Sequence, residues 1–328
     1  MKIVVLCGGL SAERDVSLSS AAQSSAALRR CGHDVTCVDL FLGVVEPTAK
    51  ISATAPDLDA LREIRPGKSR IGDDVFALCQ AADLVFIALH GTDGEDGKIQ
   101  AAFDLIGVKY TGTGVLGSAL AMNKSVAKAV MDQSGIKVAK GITLHRGGAV
   151  ENVGFPCVVK PCSGGSSVGT SIVQNAAEYE KALTEAFRYD DSVVVEQFVG
   201  GRECDVGVIA GRALPVIEIC PREGFFDYKS KYQEGLTDEI CPAPFDPETT
   251  TRLQDTAFAV FHALNLEVYA RMDFIVSDSG EIYCLEANTL PGLTPASLMP
   301  QEAAAAGINY DAFISLIVEE SLKKYGDS

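Results

Sequence analysis

The sequence predicts an α/β protein that opens with a parallel sheet and carries an antiparallel hairpin toward its C-terminal end. Lys2 to Cys7 is a continuous apolar run ending in Gly8 and Gly9, the next segment is helix-compatible to about Arg30, and Val35 to Leu40 reads as a second strand. Strand, glycine turn, helix and strand make a βαβ unit, for which parallel pairing is the expected solution. Glu267 to Val276 and Glu281 to Ala287 are β-rich runs flanking the turn-forming Ser277, Asp278, Ser279 and Gly280, the pattern of a hairpin. The chain has 328 residues, and single cores stop growing at roughly 250 to 300 residues, so two domains or three are expected.

Composition narrows the function classes. A net charge of -16 repels nucleic-acid phosphates and anionic lipid, so neither is an expected partner, and an anionic small substrate would need cations of its own. The ten cysteines include no C-x-x-C pair and mostly sit in apolar runs. They read as small buried hydrophobes in a reducing compartment, not as a disulfide framework or a zinc site. No apolar run approaches the ~20 residues of a membrane span. The N-terminal apolar run is soon followed by Glu13, Arg14 and Asp15, which suits a first strand and not a signal peptide. The expected location is the cytoplasm.

Taken in order, the elements place chemistry at strand ends. Ligands of a parallel sheet lie beyond the carboxyl ends of its strands, where Gly8, Gly9, Ser11 and Glu13 fall. Glu13 reads either as a site residue or as a first-turn acid favouring the helix dipole. Residues 42 to 75 have no strong period and read as a peripheral connection. Leu84 to Leu89 is another buried strand; His90 follows at the same sheet edge as Glu13, and Glu95 and Asp96 precede a helix over Gly97 to Ile106. Gly112, Gly114 and Gly117 match a dinucleotide fingerprint, but away from the first βα turn and with Asp132 short of the ribose-binding position, so a hinge and helix start at a domain boundary near residue 112 is the better reading. Ser118 to Ser134 reads as one helix carrying Lys124 and Lys128.

Phe155 to Pro161 is a buried strand bearing Lys160, and a lysine there needs an anionic partner at its tip. In the following CSGGSSVGTSIV, Gly164, Gly165, Ser166, Ser167 and Gly169 can turn N–H groups and hydroxyls onto phosphate oxygens; a plain flexible hairpin loop is the alternative. Ala176 to Phe187 is a helix, Ser192 to Phe198 a strand with Glu196 near its exit, and Glu203 begins a strand over Cys204 to Ala210. One such acid can accept from an adenine amino group and another from ribose hydroxyls, and either could be surface. Residues 222 to 241 read as a long loop with clustered Tyr228, Lys229, Lys231 and Tyr232, a length that tends to be functional. Pro247 to Leu264 and Asn309 to Tyr325 are helices.

The hairpin is the focus of the chain. If its loop has an even residue count, Arg271 and Asp273 share a sheet face with Glu286 and Asn288. Carboxylates side by side repel each other and lose hydration, so a cation belongs among them, and all-oxygen ligands favour magnesium over zinc. A solvated face with an Arg–Asp pair is the plainer alternative. Thr289, Pro291, Gly292, Thr294, Pro295 and Ser297 follow as a small-residue loop suited to closing over a ligand.

At this point seven ordered segments carry a likeness: GGLSAERDVS (Gly8 to Ser17), LHGTDGEDG (Leu89 to Gly97), YTGTGVLGSALAMNK (Tyr110 to Lys124), VVKPCSGGSSVG (Val158 to Gly169), FFDYKSKY (Phe225 to Tyr232), RMDF (Arg271 to Phe274) and LEANTLPGLTPASLMP (Leu285 to Pro300). Along nearly its whole length the chain resembles the D-alanine:D-alanine ligases of the ATP-grasp superfamily. The resemblance implies an N-terminal substrate-binding α/β domain at 1–112, then two α+β domains, at 113–197 and 198–328, that grip ATP between their sheets. It also implies that Lys124 and Lys160 contact the ATP phosphates under the Gly164 to Gly169 loop with Ser166 and Ser167. Glu196, Val199 and Glu203 would hold adenine and ribose, and Asp273, Glu286 and Asn288 would bind two magnesium or manganese ions. Glu13, Ser166 and Tyr232 would form a hydrogen-bonded set, with Glu13 taking the first substrate's ammonium beside His90. Lys231 would meet the γ-phosphate, Arg271 and the Gly292 N–H would form the oxyanion site, and Ser297 and Leu298 would shape the second substrate's pocket. A homodimer is the form the resemblance implies.

Two departures stand out: AMNK at Ala121 to Lys124 has Asn123 where an acid is usual, and Ser163 and Gly164 stand where many relatives have Arg and Glu. The implied reaction joins two D-alanines through an acyl phosphate, with release of ADP and phosphate, for peptidoglycan precursors. Relatives joining D-alanine to D-serine or D-lactate are the nearest rivals. A nicotinamide oxidoreductase on Gly112 to Gly117 and a non-catalytic nucleotide sensor are rivals of a different class.

Overall fold

A computed structural model describes residues 1–52, 56–222 and 237–326. The opening βαβ unit forms as expected. Strands β1 (Lys2–Cys7) and β2 (Asp34–Asp39) pair in parallel, flanking helix α1 (Arg14–Arg30) in sequence. A short β3 (Gly43–Val44) and β4 (Leu84–Ile87) complete a sheet of order β3-β2-β1-β4. β1 and β4 are apolar and buried along nearly their full length, as parallel strands covered on both faces must be. Gly8 leaves β1 at φ +69°, and a Cβ there would lie 2.0 Å from the Asp39 carboxylate. Only glycine lets the buried Arg14–Asp39 ion pair, at 2.5 Å, close under the turn that presents Glu13.

Between β3 and β4 the connection folds into α2 (Leu58–Glu63) and α3 (Val75–Gln80), and α4 (Lys98–Ile106) follows β4. The single helix expected over 118–134 is two. α5 (Val115–Met122) stops at Asn123, which is extended (φ -90°, ψ 100°), and α6 (Lys124–Gln133) starts with Asn123 Oδ1 accepting from the Val126 N–H at 3.1 Å. Apolar periodicity runs through both helices and hides the break; the capping chemistry of Asn marks it. The departure at position 123 therefore has a local role, as asparagine caps a helix as well as an acid does.

Two antiparallel sheets follow. β5 (Gly141–His145), β6 (Cys157–Pro161), β7 (Ser171–Val173) and β8 (Ser192–Gln197) form one, of order β5-β8-β6-β7, with α7 (Ala176–Ala186) between β7 and β8 in sequence. The other has order β12-β11-β9-β13-β14, from β9 (Arg202–Ile209), β11 (Ile217–Pro221), β12 (Thr237–Ile240), β13 (Tyr269–Val276) and β14 (Ile282–Asn288), with β10 (Arg212–Ala213) paired to β9. Part of the expected 222–241 loop is thus strand; Tyr228, Lys229, Lys231 and Tyr232 lie outside the described residues. α8 (Pro247–Ala263) packs on this sheet through Leu253, Ala257 and Val260. α9 (Leu298–Ala305) and α10 (Tyr310–Lys323) return to the first sheet, where Met299, Phe313 and Ile317 share a core with Leu6, Leu28 and Ile87.

The glycine fingerprint has a packing explanation. A Cβ on Gly117 would lie 2.4 Å from the Asn265 carbonyl oxygen, and one on Gly114 would lie 2.9 Å from the Glu267 carboxylate. These glycines let α5 approach the segment leading into β13. All ten cysteines are free. Among the described residues no helix is long and apolar enough to cross a membrane.

Candidate active site

The hairpin brings its four polar residues together by a route the loop alone would not allow. Val276 pairs with Ile282, so the turn holds five residues, an odd number, and unbroken pairing would leave Glu286 and Asn288 facing away. A register shift between Asp273 and Phe274 leaves Leu285 outside the pairing, so Asp273 opposes Glu286 and Arg271 opposes Asn288. Such bulges recur beside active sites because they re-aim side chains. On the other flank β9 pairs Asp205 with Asp273 and Gly207 with Arg271. The result is a row of three carboxylates, Asp205, Asp273 and Glu286, on neighbouring strands.

Cations of the chain itself offset part of this row's charge, although at Asp205 burial and the neighbouring Asp273 outweigh Arg271 and hold the carboxyl pKa well above its ordinary value. Arg271 Nε and Nη2 donate to the two Asp273 oxygens, both at 2.9 Å, and Nε is 2.8 Å from Asp205 Oδ2. Burial opposes charge on Arg271, but Asp273 and Asp205 outweigh it and hold the guanidinium pKa above its usual value. Asn288 Nδ2 donates to both Asp273 oxygens at 3.1 Å, and Lys124 Nζ lies 3.2 Å from Glu286 Oε2. Two carboxylates and a carboxamide suit magnesium, which takes only one or two protein carboxylates and completes its octahedron with water and phosphate. Among the described residues no group of three or more His, Cys, Asp or Glu is placed to hold a metal ion.

A cavity of about 480 Å³ lies between the two antiparallel sheets and is lined by Lys124, Lys160, Glu196, Val199, Glu203 and Glu286, with the Ser163–Ser167 loop at one side. At its floor Glu196, 3% exposed, pairs with Lys160 at 2.6 Å and with Lys128 more closely still. Burial would raise the Glu196 pKa, yet Lys160 and Lys128 hold it below the ordinary carboxylate value. Burial and the neighbouring Lys160 lower the Lys128 pKa; Lys160, also opposed by burial, is raised by Glu196 and Glu286. The anionic partner expected for Lys160 is therefore Glu196. The phosphate-type loop is held by Lys124 Nζ donating to the Gly164 carbonyl at 2.6 Å, while Ser166 and Ser167 sit at φ +52° and +56°, a costly backbone for non-glycine residues that concentrates at ligand clamps.

A second cavity, about 660 Å³, is lined by Glu13, His90, Arg271, Gly292, Ser297 and Leu298, and shares Gly165 and Glu286 with the first. Ser166 Oγ donates to Glu13 Oε1 at 2.5 Å, so Glu13 reaches toward the loop and makes no side-chain cap to its helix. His90 Nδ1 donates to the Leu290 carbonyl at 2.8 Å, which leaves Nε2 to accept from Ser20 Oγ at 2.9 Å. Burial lowers the His90 pKa, so the ring is a neutral pin fixing the loop after β14 against α1. Glu95 bonds the Gly91 and Leu290 N–H groups, and burial together with nearby Glu13 pushes its pKa up to about 8. Ser297 Oγ accepts from the Thr294 N–H at 3.1 Å, and a Cβ on Gly292 would lie 2.7 Å from that oxygen. Gly292 lets the loop fold tightly enough to turn its backbone toward the cavity.

The sequence profile described as "D-ala D-ala ligase N-terminus" matches residues 2–113, and the one described as "D-ala D-ala ligase C-terminus" matches residues 130–319. The chain belongs to the D-alanine–D-alanine ligase family. Its similarity to ligases of this family runs end to end: 44% identity to the D-alanine–D-alanine ligase of Lacticaseibacillus casei, covering 100% of this chain and 97% of the relative. The enzyme of Syntrophotalea carbinolica is 42% identical, over 98% and 97% of the two chains. Among solved structures, the Bacillus anthracis D-alanine–D-alanine ligase complexed with ATP superposes with a TM-score of 0.79 at 30% identity, over 98% of both chains. The Coxiella burnetii enzyme gives 0.81 at 28%, over 99% of this chain and 95% of that one. A mainly parallel sheet, with only the short β3 antiparallel, followed by two antiparallel sheets facing a cavity is the ATP-grasp arrangement of this ligase family.

In this member of the ligase family, the described residues expected at the site all line one of the two cavities or touch a residue that does. Lys128, Asp205, Glu95 and Glu302 join the site without a role that the sequence assigns them. Asp205 carries the signal that marked Lys160, a charge inside an apolar strand, in the run CDVGVI. Lys128 lies one helical turn beyond Lys124, on the same face. Glu302 is fully buried on α9, its Oε2 accepting from the Gly207 N–H at 2.7 Å; nothing local in its sequence marks it.

Proposed function

We propose that the chain condenses two D-alanine molecules to D-alanyl-D-alanine with conversion of ATP to ADP and phosphate, in the cytoplasm, as a homodimer supplying peptidoglycan precursors. The observation that carries the reading is the meeting of two cavities, one between the antiparallel sheets and one reaching Glu13, at Glu286 and Gly165, beside the Arg271–Asp273–Asn288 group. The corresponding division of labour is 1–112 for the first substrate, and 113–197 and 198–328 for ATP.

Glu196, Val199 and Glu203 would take adenine and ribose, with the paired Lys128 and Lys160 fixing Glu196. Lys124, Lys160 and the Ser166–Ser167 loop would take the phosphates, and Lys231 the γ-phosphate. Asp273, Glu286 and Asn288 would hold two Mg²⁺ (or Mn²⁺), which when bound offset charge on the transferring phosphoryl group. The first D-alanine, its ammonium at Glu13 beside His90, would attack the γ-phosphorus through a carboxylate oxygen, forming an acyl phosphate as ADP leaves. The second, seated at Ser297 and Leu298, would attack the acyl carbon through its amine, whose surplus proton would leave with the departing phosphate. Arg271 and the Gly292 N–H would take the oxyanion before phosphate departs. Enclosure by the Ser166 loop and Tyr232 would keep water from the acyl phosphate.

The test is phosphate release from Mg-ATP with D-alanine alone, then with D-serine or D-lactate added, and the product weighed by mass spectrometry. D-alanyl-D-alanine from D-alanine alone is expected. Release only when D-lactate or D-serine is supplied, or ATP binding with no D-alanine-dependent release, would overturn the reading.

A further inference from the structure

The row of carboxylates has one member more than the metal site needs. Asp273 and Glu286 face each other on β13 and β14, with Asn288 alongside. Asp205, opposite Asp273 on β9, is 1% exposed, and neither of its oxygens has a hydrogen-bond partner among the described residues. Its only close cation among the described residues is Arg271, at 2.8 Å from Nε, but the single Nε–H is directed at Asp273 Oδ1. A buried carboxylate beside a guanidinium that bonds another acid is expensive to keep. It becomes understandable if the guanidinium changes acceptor.

We propose that Asp205 is a positioning residue: it receives the Arg271 guanidinium when Asp273 turns its oxygens to a divalent cation, so Arg271 stays over the oxyanion position and Asp273 is released to the metal. The inference rests on the reading of Asp273 and Glu286 as metal ligands. Three observations support it. Asp273 oxygens are both occupied by Arg271 and Asn288 donors, so a metal has to displace them. The alternative seat lies within bonding distance already, so Arg271 needs to reorient and not to travel. Across the row, Lys124 stands to Glu286 as Arg271 stands to Asp273, and Lys124 has its own second acceptor in the Gly164 carbonyl at 2.6 Å. Each ligand carboxylate is thus paired with a cation that has somewhere else to go.

The experiment measures Mn²⁺ binding to the full chain in the presence of ADP, by electron paramagnetic resonance of the free ion, together with kcat at saturating Mn²⁺. In Asp205→Asn the second seat keeps an acceptor but loses its charge and no longer competes for the guanidinium, so Arg271 stays on Asp273 and Mn²⁺ affinity falls about 10- to 100-fold, the range for lost supporting partners of a metal ligand. At saturating Mn²⁺ its kcat stays down by about 10- to 100-fold, because Arg271 is then unanchored. Asp205→Glu restores both in large part, and Asp205→Ser serves in place of Asp205→Asn should the latter not fold. Wild-type Mn²⁺ affinity in Asp205→Asn, full recovery of kcat at high Mn²⁺, or failure of Asp205→Glu to rescue would each overturn the proposal. Asp273→Asn is the control: if it too binds Mn²⁺ normally, the metal reading beneath the proposal is what fails.

Discussion

Replacing Glu302 by glutamine isolates the cost of a buried acid below the site. Glu302 has no exposed surface; Oε2 accepts the Gly207 N–H at 2.7 Å, and Oε1 is buried without a hydrogen-bond partner among the described residues. Burial pushes its pKa from the ordinary 4.5 up to about 8; the Gly207 N–H and Arg271 pull it back and Asp273 adds to the rise. The unfolded chain releases this proton near pH 4.5 while the fold keeps it, so stability is full below 4.5, declines as pH rises, and levels off near 8. Each pH unit in that window costs about 1.4 kcal/mol, which sets an upper bound of about 3 kcal/mol at pH 7. Glutamine keeps the acceptor and has no proton to lose. Allowing for relaxation of the site, Glu302→Gln should stabilise the protein by about 1–3 kcal/mol at pH 8 and by little at pH 5. Urea denaturation of both proteins at pH 5 and pH 8 measures this. A difference between variant and wild type that is the same at the two pH values would refute the reasoning.

Three further outcomes are expected. Arg271→Ala should lower D-alanine-dependent phosphate release by about 100-fold or more, the scale for one oxyanion donor; near-normal turnover in a steady-state assay counts against that role. Gly207→Ala would set a Cβ 2.4 Å from Glu302 Oε2 and 2.9 Å from Met299, and should cost about 1–3 kcal/mol by overpacking, read as a lowered denaturation midpoint. Lys128→Met keeps the aliphatic stem but leaves Glu196 with Lys160 alone, at a cost of about 1–3 kcal/mol for a charged hydrogen bond; an unchanged midpoint would mean the pair adds nothing.

Much of the fold was readable from the chain because its signals are local. β1 and β4 are runs of consecutive apolar residues, α1 begins at Arg14 shortly after the glycines, and the hairpin is bracketed by its turn residues. Seven motifs in order pointed to the ligase family because each is a short stretch whose chemistry depends on its own neighbours: a glycine loop after Lys160, a carboxylate and amide at Glu286 and Asn288. The boundary at Asn123 was missed because two helices in a row keep one apolar pattern, and only the cap distinguishes them. The strand at Thr237–Ile240 is hidden in the sequence because three of its four residues, TDEI, are polar and it forms the edge of its sheet.

The candidate site residues are legible in the sequence, while their arrangement depends on contacts between distant segments. Parity of the hairpin turn pointed the wrong way, and the bulge at Leu285 restored a shared face. Asp205 became a neighbour of Asp273 through pairing across 68 positions, and Lys128, Lys160 and Glu196 form one cluster only because α6, β6 and β8 converge. Residue type and local spacing prescribe which segments are strands, helices and loops, since those preferences act over a few residues. Register, burial and the choice of which cation meets which acid arise from packing between segments far apart in the chain, and those energies exist only once the fold has formed.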